Sequence, residues 1–453
     1  MTQPQQAAVD QALAQLQAGS AALAEGRLEQ AAEALVSAET VFRNMDDKAH
    51  AADSRAALAE VQRRNGAVDQ AAGSYERAIA LYKEADLPER EAAVTLALGH
   101  IERQRGQLDR AWERYYLALR LFEKSNNASG RASASLALGH IEQQRGRLTQ
   151  ALQYYTTARD LYAGVHDVYG EADAARGLAD MLAGRGQHDE AAQAYRQALD
   201  LYRGARDTFG EVDTLVGQGR LSIDQARLDE AGSLFGEAIA KAGVVEYDLG
   251  EADGTLGLAE IALHRGQLDQ ALANSMKALE TYSHTSSPLG EAESNRVHGA
   301  VQLRRGYYTQ ATTDFDRAAR ALRNLHARVP LAHALLGSAE ANRRRATPRK
   351  AEDLFAEARD VATEAEQPAL EAAALLGLGQ IARARGQTDT AMQLLEGAAA
   401  RLEQQDRLAL AAQALVERGW LALTQGELDR AAELAGRARS LDERAERQPG
   451  EPG

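Results

Sequence analysis

The chain has 453 residues, a formal net charge of −14 and no cysteine. The absence of thiols excludes disulfides and thiolate metal sites. The acidic balance argues against nucleic acid as the main partner, because phosphate binding needs a clustered positive surface. No apolar run approaches the roughly 20 residues that span a bilayer, and the N-terminus shows no secretory signal. We therefore expect a soluble, cytoplasmic protein without membrane insertion, and the Ala-, Arg- and Gly-rich composition favours a bacterial source.

The sequence repeats itself with a period of forty residues. Leu98–Gly106 reads LGHIERQRG, and Leu138–Gly146 differs from it in a single letter. Steps of forty residues from Gly99 and from Gly106 meet only Gly or Ala, and the columns that contain Ala111 and Ala118 are alanine in every copy. Columns of this kind indicate a repeat array, in which each unit stacks on its neighbours and no single large core is needed.

Each unit contains two apolar patterns of helical period, separated by a short polar turn. In the third unit we predict a first helix over 91–105 and a second over 108–124. Gly106 suits a left-handed backbone between them, and Asp109 suits the cap or first turn of the second helix. We predict that residues 1–11 extend the first helix of the chain and that 447–453 form a disordered tail. Between them, over 12–446, we expect eleven repeats, beginning near 12, 52, 92, 132, 172, 212, 252, 292, 332, 372 and 412.

The small residues have two predicted roles. Gly99 and Ala111 let two helices approach closely at a crossing. A second group of glycines falls between units, and we expect its members to close the second helix of each repeat. This group comprises Gly130, Gly170, Gly210, Gly250 and Gly290.

Leu98, Gly99, Gly106, Ala111, Tyr115 and Ala118, at these spacings, resemble the signature of the tetratricopeptide repeat. The usual unit in that family has 34 residues, and the longer unit here resembles the arrays of the Pins/LGN polarity adaptors and of bacterial Rap-type regulators. The resemblance implies an all-α, right-handed superhelical solenoid of about eleven helix-turn-helix repeats. The polarity adaptors commonly place Asn after the Leu-Gly pair to hold a partner's backbone; here His100, His140 and other residues stand there, so that contact is not transferred.

The same resemblance implies that the first helix of each repeat lines a concave groove. Positions two, five, nine, twelve and thirteen of each unit then face a partner, and they are mostly charged, in separate basic and acidic zones. The expected partner-binding residues are Arg63, Arg64, His100, Arg103, His140, Gln143, Asp173, Arg176, Asp180, Asp213, Arg220, Asp253, Glu260, Glu293, Arg296 and Arg343.

Several functions remain open at this stage. The leading hypothesis is a non-enzymatic adaptor that binds a protein or peptide segment by complementary charge, and the simplest alternative is that the charged face is only solvated. An effector-responsive regulator and a self-assembling homo-oligomer are further alternatives. No catalytic or cofactor motif stands in a fitting context, so we expect no enzyme and no cofactor. A metal between His100 and His140 is disfavoured, because neighbouring helices lie about 8–10 Å apart.

Overall fold

The computed structural model describes residues 3–447, and these residues form 22 α-helices and no strand. The helices alternate as first and second members of eleven pairs. Their bounds are α1 Gln3–Ala24, α2 Leu28–Asn44, α3 Lys48–Arg64, α4 Val68–Glu84, α5 Pro88–Gln104, α6 Leu108–Lys124, α7 Ala128–Gln144, α8 Leu148–Gly164, α9 Val168–Gly184, α10 His188–Ala205, α11 Thr208–Asp224, α12 Leu228–Val244, α13 Asp248–His264, α14 Leu268–His284, α15 Pro288–Arg304, α16 Tyr308–Asn324, α17 Arg328–Arg344, α18 Pro348–Glu364, α19 Pro368–Ala384, α20 Thr388–Gln404, α21 Leu408–Thr424 and α22 Leu428–Arg447.

The chain divides into two compact units. Unit 1 comprises residues 1–141 and 153–170, and unit 2 comprises residues 142–152 and 171–453. In unit 2, each helix from α10 to α22 packs against the next one in the chain, and successive first helices such as α11 and α13 also touch. Helices α1 to α6 of unit 1 pack in the same consecutive manner. No helix within the described range is long and apolar enough to cross a membrane.

The predicted second helix of the third repeat is confirmed at both ends by α6, whereas its first helix begins three residues earlier than predicted, at Pro88. The helix starts there because Asp86, with φ of 51°, turns the chain directly after α4. Gly106 adopts φ of 73°, as predicted. Asp109 lies in the first turn of α6, as predicted, and the N-cap residue is Gln107. Residues 448–453 of the predicted tail lie outside the described part, and Arg447 ends α22.

The glycines between units do not close the second helices, contrary to the prediction. Gly210 lies in the first turn of α11, and the turn that precedes it is made by Arg206, with φ of 58°. A Cβ atom at Gly210 would lie 2.3 Å from the ring of Tyr202. Gly290 stands in the same relation to Tyr282, at 2.2 Å. Gly210 and Gly290 are therefore required for space, because the aromatic side chain of the preceding second helix lies against each of them.

Gly99 makes the close approach that the sequence predicts, and its neighbour is an aromatic ring. A Cβ atom at Gly99 would lie 2.6 Å from Cε1 of Tyr115, which is fully buried. Ala137 of the next repeat belongs to the same buried cluster as Tyr115. A glycine on one side of the ring thus makes room for it between two repeats.

In the fifth repeat, the glycine that leaves space for the ring belongs to the next repeat. Tyr195 lies beside Ala179 of its own repeat, and a Cβ atom at Gly217 of the next repeat would lie 2.6 Å from its ring. The second repeat departs from this rule, since Ala59 and Ala97 occupy both positions around Tyr75.

Candidate partner-binding site

Unit 2 contains a cavity of about 650 Å³ on the side formed by the first helices of four consecutive repeats, α11, α13, α15 and α17. We call it the unit 2 cavity. Its charged and histidine lining residues are Arg220, Asp224, Asp253, Glu260, His264, Glu293, Arg296 and His333. All eight stand at positions two, five, nine or thirteen of their repeats, which are among the positions that the sequence analysis assigned to a groove.

Five residues of the predicted set meet around this cavity. Arg296 lies between two carboxylates: its Nε is 2.7 Å from Glu293 and its guanidinium also bonds Glu260, at 2.5 Å. Arg220 lies 3.3 Å from Asp253. Burial acts to raise the pKa of Glu260, but Arg296 and Arg220 outweigh it and the pKa is lowered. Glu260 therefore stays ionised, and its charge is compensated inside the lining.

The histidines of the cavity are held in the neutral form. Burial, reinforced by the charge of Arg296, lowers the pKa of His333 to about 4. Burial also lowers the pKa of His264. At neutral pH the lining then carries two arginines against four carboxylates, a formal charge of −2 when every carboxylate is ionised. Asp224 is the least compensated of the four, since burial raises its pKa and Arg407 lies 3.8 Å away.

Tyrosine hydroxyls, from the second helix α14 and from the turn before α13, bind carboxylates of the first helices. In unit 2, Tyr282 donates to Asp253 at 2.7 Å and Tyr247 donates to Asp213 at 3.0 Å. The sequence analysis gave these tyrosines no polar role. A signal was present, because Tyr75 and Tyr195 each follow a position-nine carboxylate by 15 residues, and they donate to these carboxylates, Glu60 and Asp180, at 3.2 and 2.5 Å.

An apolar rim borders the charged lining, and the sequence analysis missed it. Leu249, Leu289 and Val329 line the cavity from the first turns of α13, α15 and α17. Leu289 is 47% exposed, and Phe209, at the same repeat position in α11, is 52% exposed. The signal was the column itself, which holds a large apolar residue in four consecutive repeats, Phe209, Leu249, Leu289 and Val329.

The remaining predicted residues of unit 2 lie outside the cavity lining. Asp173 accepts a hydrogen bond from Tyr202 and lies 4.0 Å from Arg176. Burial raises the pKa of Asp180, which Arg176 partly offsets. Burial also raises the pKa of Asp213. Arg343 forms an ion pair with Glu340 of its own helix, at 2.6 Å, and Gln143 is half-buried in the segment 142–152.

The predicted residues of unit 1 form local contacts. Arg63 and Arg64 both bind Glu60, at 2.7 and 2.9 Å, and this pairing lowers the pKa of Glu60 to about 2. The hydroxyl of Tyr115 lies 2.8 Å from Nδ1 of His100.

The second histidine has the same environment, because the hydroxyl of Tyr155 lies 2.8 Å from Nδ1 of His140. Arg103 is exposed. Across residues 3–447, no group of three or more His, Cys, Asp or Glu side chains is arranged to hold a metal ion. His100 and His140 thus each contact the hydroxyl of a tyrosine in their own repeat.

Comparison with known proteins gives the same fold. A tetratricopeptide-repeat model matches residues 130–204, and a model of the soluble NSF attachment protein, SNAP, matches residues 3–120. A crystal structure of a Rap protein complexed with competence and sporulation factor aligns over 79% of this chain and 99% of its own, at 13% identity and a TM-score of 0.57. The chain therefore resembles the tetratricopeptide-repeat arrays of the Rap type in fold.

Two further structures resemble parts of the tetratricopeptide array. The apo form of RapI aligns over 70% of this chain and 99% of its own, at 15% identity and a TM-score of 0.39. PilF of Pseudomonas aeruginosa aligns over 54% of this chain and 97% of its own, at 23% identity and a TM-score of 0.41. No curated protein matches the sequence.

Proposed function

We propose that the protein is a non-enzymatic interaction scaffold, and that the unit 2 cavity binds a segment of a partner protein or a peptide. The observation that carries the proposal is the convergence of four first helices on one cavity of about 650 Å³. This volume lies within the range of about 300–1,000 Å³ that ligand sites occupy. The remaining predicted groove residues, in both units, belong to the proposal as secondary contacts.

The chemistry of the lining favours one kind of segment. Its formal charge of −2 attracts a cationic side chain, and Asp224 and Asp253 are the carboxylates with the weakest compensation. The rim of Leu249, Leu289 and Val329 offers apolar contact area beside that charge. We propose a segment with a lysine or arginine next to an apolar residue, because charge complementarity fixes the register and apolar burial supplies affinity.

The Rap structure supports this proposal through its fold. That protein was crystallised with competence and sporulation factor, so an array of similar fold accommodates a factor. At 13% identity the likeness concerns the fold, and the identity of the factor is not transferred. A cytoplasmic location, a bacterial source and homo-oligomerisation remain predictions.

Selection from a displayed library of random linear peptides tests the proposal. The full-length chain is compared with a variant that neutralises three cavity carboxylates, Asp224→Asn, Asp253→Asn and Glu293→Gln. The Asp253→Asn change keeps a side-chain oxygen that can accept from the hydroxyl of Tyr282, so it spares the local hydrogen bond.

The matched control removes three exposed carboxylates from second helices, by Glu190→Gln, Asp200→Asn and Glu280→Gln. The two variants have the same net charge, so they separate the cavity from a general electrostatic effect. We expect enriched peptides to carry Lys or Arg beside an apolar residue, and to bind the control but not the cavity variant. Equal binding to both variants, or enrichment without cationic residues, would contradict the proposal.

A further inference from the structure

Two parts of unit 2 that are far apart in sequence touch through their inter-helix turns. Gln367 donates from Nε2 to the carbonyl of Gly184 at 2.9 Å. The guanidinium of Arg328 donates to the carbonyl of Arg145. Thr149 contacts Glu366 across 217 residues. We name this set of six residues, Arg145, Thr149, Gly184, Arg328, Glu366 and Gln367, the clasp.

The central contact of the clasp caps the N-terminus of α8 with a side chain from elsewhere in the chain. The backbone N–H of Thr149 and its hydroxyl donate to the same carboxylate oxygen of Glu366, at 3.2 and 2.9 Å. Thr149 is in the first turn of α8, where backbone N–H groups have no partner within the helix. A carboxylate at this end is favoured by both the free donors and the helix dipole. Glu366 therefore caps a helix that is remote from it in sequence.

The repeat sequence departs from its own pattern at this contact. At the position of Thr149, eight of the other repeats carry an acid, Glu29, Asp69, Asp109, Asp189, Asp229, Asp269, Asp389 and Asp429. An aspartate at 149 would meet Glu366 as a like charge, whereas the hydroxyl of threonine donates to it. Thr149 thus replaces the acid that eight other repeats carry, at a place where the carboxylate of Glu366 binds the start of the helix instead.

The clasp has a consequence for the unit 2 cavity. In sequence, the helices that line the cavity, α11, α13 and α15, lie between the two sides of the clasp, and α17 begins with its member Arg328. A second long-range contact involves the cavity lining itself, since Arg407, which precedes α21, lies 3.8 Å from Asp224 at the end of α11. We propose that the clasp is a releasable closure that holds the cavity-forming conformation of unit 2, with Thr149 and Glu366 as its central pair.

Disulfide trapping tests the closure without any partner. A Cβ atom at Gly146 would lie 3.3 Å from Cβ of Ala365, close to the about 3.5–4.5 Å between the Cβ atoms of disulfides. The chain has no other cysteine, so Gly146→Cys with Ala365→Cys can form only this intramolecular bond. Gly146 has positive φ, but Ala226 and Ala346 occupy the same repeat position with φ of 58° and 57°, so a side chain is tolerated there.

Two charge variants in this background form a matched pair. Thr149→Asp restores the residue that most repeats use and places it opposite Glu366. Thr309→Asp makes the same change at the same position of another repeat, outside the clasp. We expect the parent and Thr309→Asp chains to cross-link rapidly, and Thr149→Asp to cross-link about tenfold more slowly, because the hydrogen bond from the threonine hydroxyl to a carboxylate is replaced by repulsion. No cross-link in the parent, or equal rates in both variants, would overturn the proposal.

A second measurement avoids the engineered cysteines. Solution scattering of the full-length, partner-free chain should give a larger radius of gyration for Thr149→Asp than for the natural chain, and no increase for Thr309→Asp. Equal radii in all three proteins would overturn the closure. Because neither measurement contains a ligand, both outcomes are independent of whether the cavity binds the proposed segment.

Discussion

Gly99 provides the sharpest test of how the repeats pack. In Gly99→Ala, the new methyl group would lie 2.6 and 2.7 Å from two ring carbons of Tyr115 and 3.3 Å from Cβ of Arg114. Tyr115 is fully buried, and its hydroxyl is fixed against His100, so the ring has little room to move. Overpacking of this kind costs about 1–3 kcal/mol, against a gain of about 0.8–1.0 kcal/mol from replacing a helical glycine by alanine. We expect a net loss of stability of up to about 2 kcal/mol.

The chain supplies a control for the helix term. Gly73 lies inside α4, and a Cβ atom there would meet no other atom within 4 Å. Gly73→Ala should therefore stabilise the protein by about 0.5–1 kcal/mol. Urea unfolding followed by circular dichroism measures both variants, and hydrogen exchange of α5 and α6 localises the effect, because each repeat is stabilised mainly by its neighbours.

A double mutant separates packing from helix propensity. Ala137→Gly opens space beside Tyr115, as Gly217 does for Tyr195. Combined with Gly99→Ala, it should cost less than the sum of the two single changes, with a coupling of at least about 0.5 kcal/mol. If Gly99→Ala stabilises the chain as Gly73→Ala does, or if the two changes are additive, the packing argument is wrong.

Two further predictions concern titration. Tyr195→Phe removes a hydrogen bond that holds the pKa of Asp180 down, so this pKa should rise further in a carboxyl NMR titration; Tyr202→Phe, whose hydroxyl contacts another aspartate, should leave it unchanged. Burial lowers the pKa of His100 from 6.5 to about 4, so the folded state binds fewer protons than the unfolded state between these values, and this contribution to stability is lost as the pH falls from about 6.5 to 4. The drop in urea midpoint between pH 7 and pH 5 should be smaller in His100→Gln, and an equal drop would contradict this assignment.

Much of the fold follows from local sequence alone. The forty-residue period, the all-α class and the exact bounds of α6 were predictable, because helical periodicity and turn residues such as Gly106 act over a few residues. The repeat positions that line the unit 2 cavity were expected from the family resemblance, which implies that the first helix of each repeat faces a groove.

The roles of the tyrosines and of the inter-unit glycines were decided by packing between helices. The sequence pattern marks Tyr282 only as a large residue at a core position, yet its hydroxyl donates to Asp253 of the preceding helix. Gly210 reads as a helix terminator, yet it is needed because a ring from another helix occupies the place of its side chain. Such contacts depend on the distance between helix axes, which no single helix encodes.

The clasp shows most clearly which contacts the local sequence does not determine. Thr149 is visible in the sequence as an exception to an acidic column, but its partner Glu366 stands 217 residues away. A repeat sequence specifies how each unit rests on the next, and the small rotation at each step accumulates over many repeats. Which distant turns finally meet is set by that accumulated rotation, and so only the tertiary structure decides it.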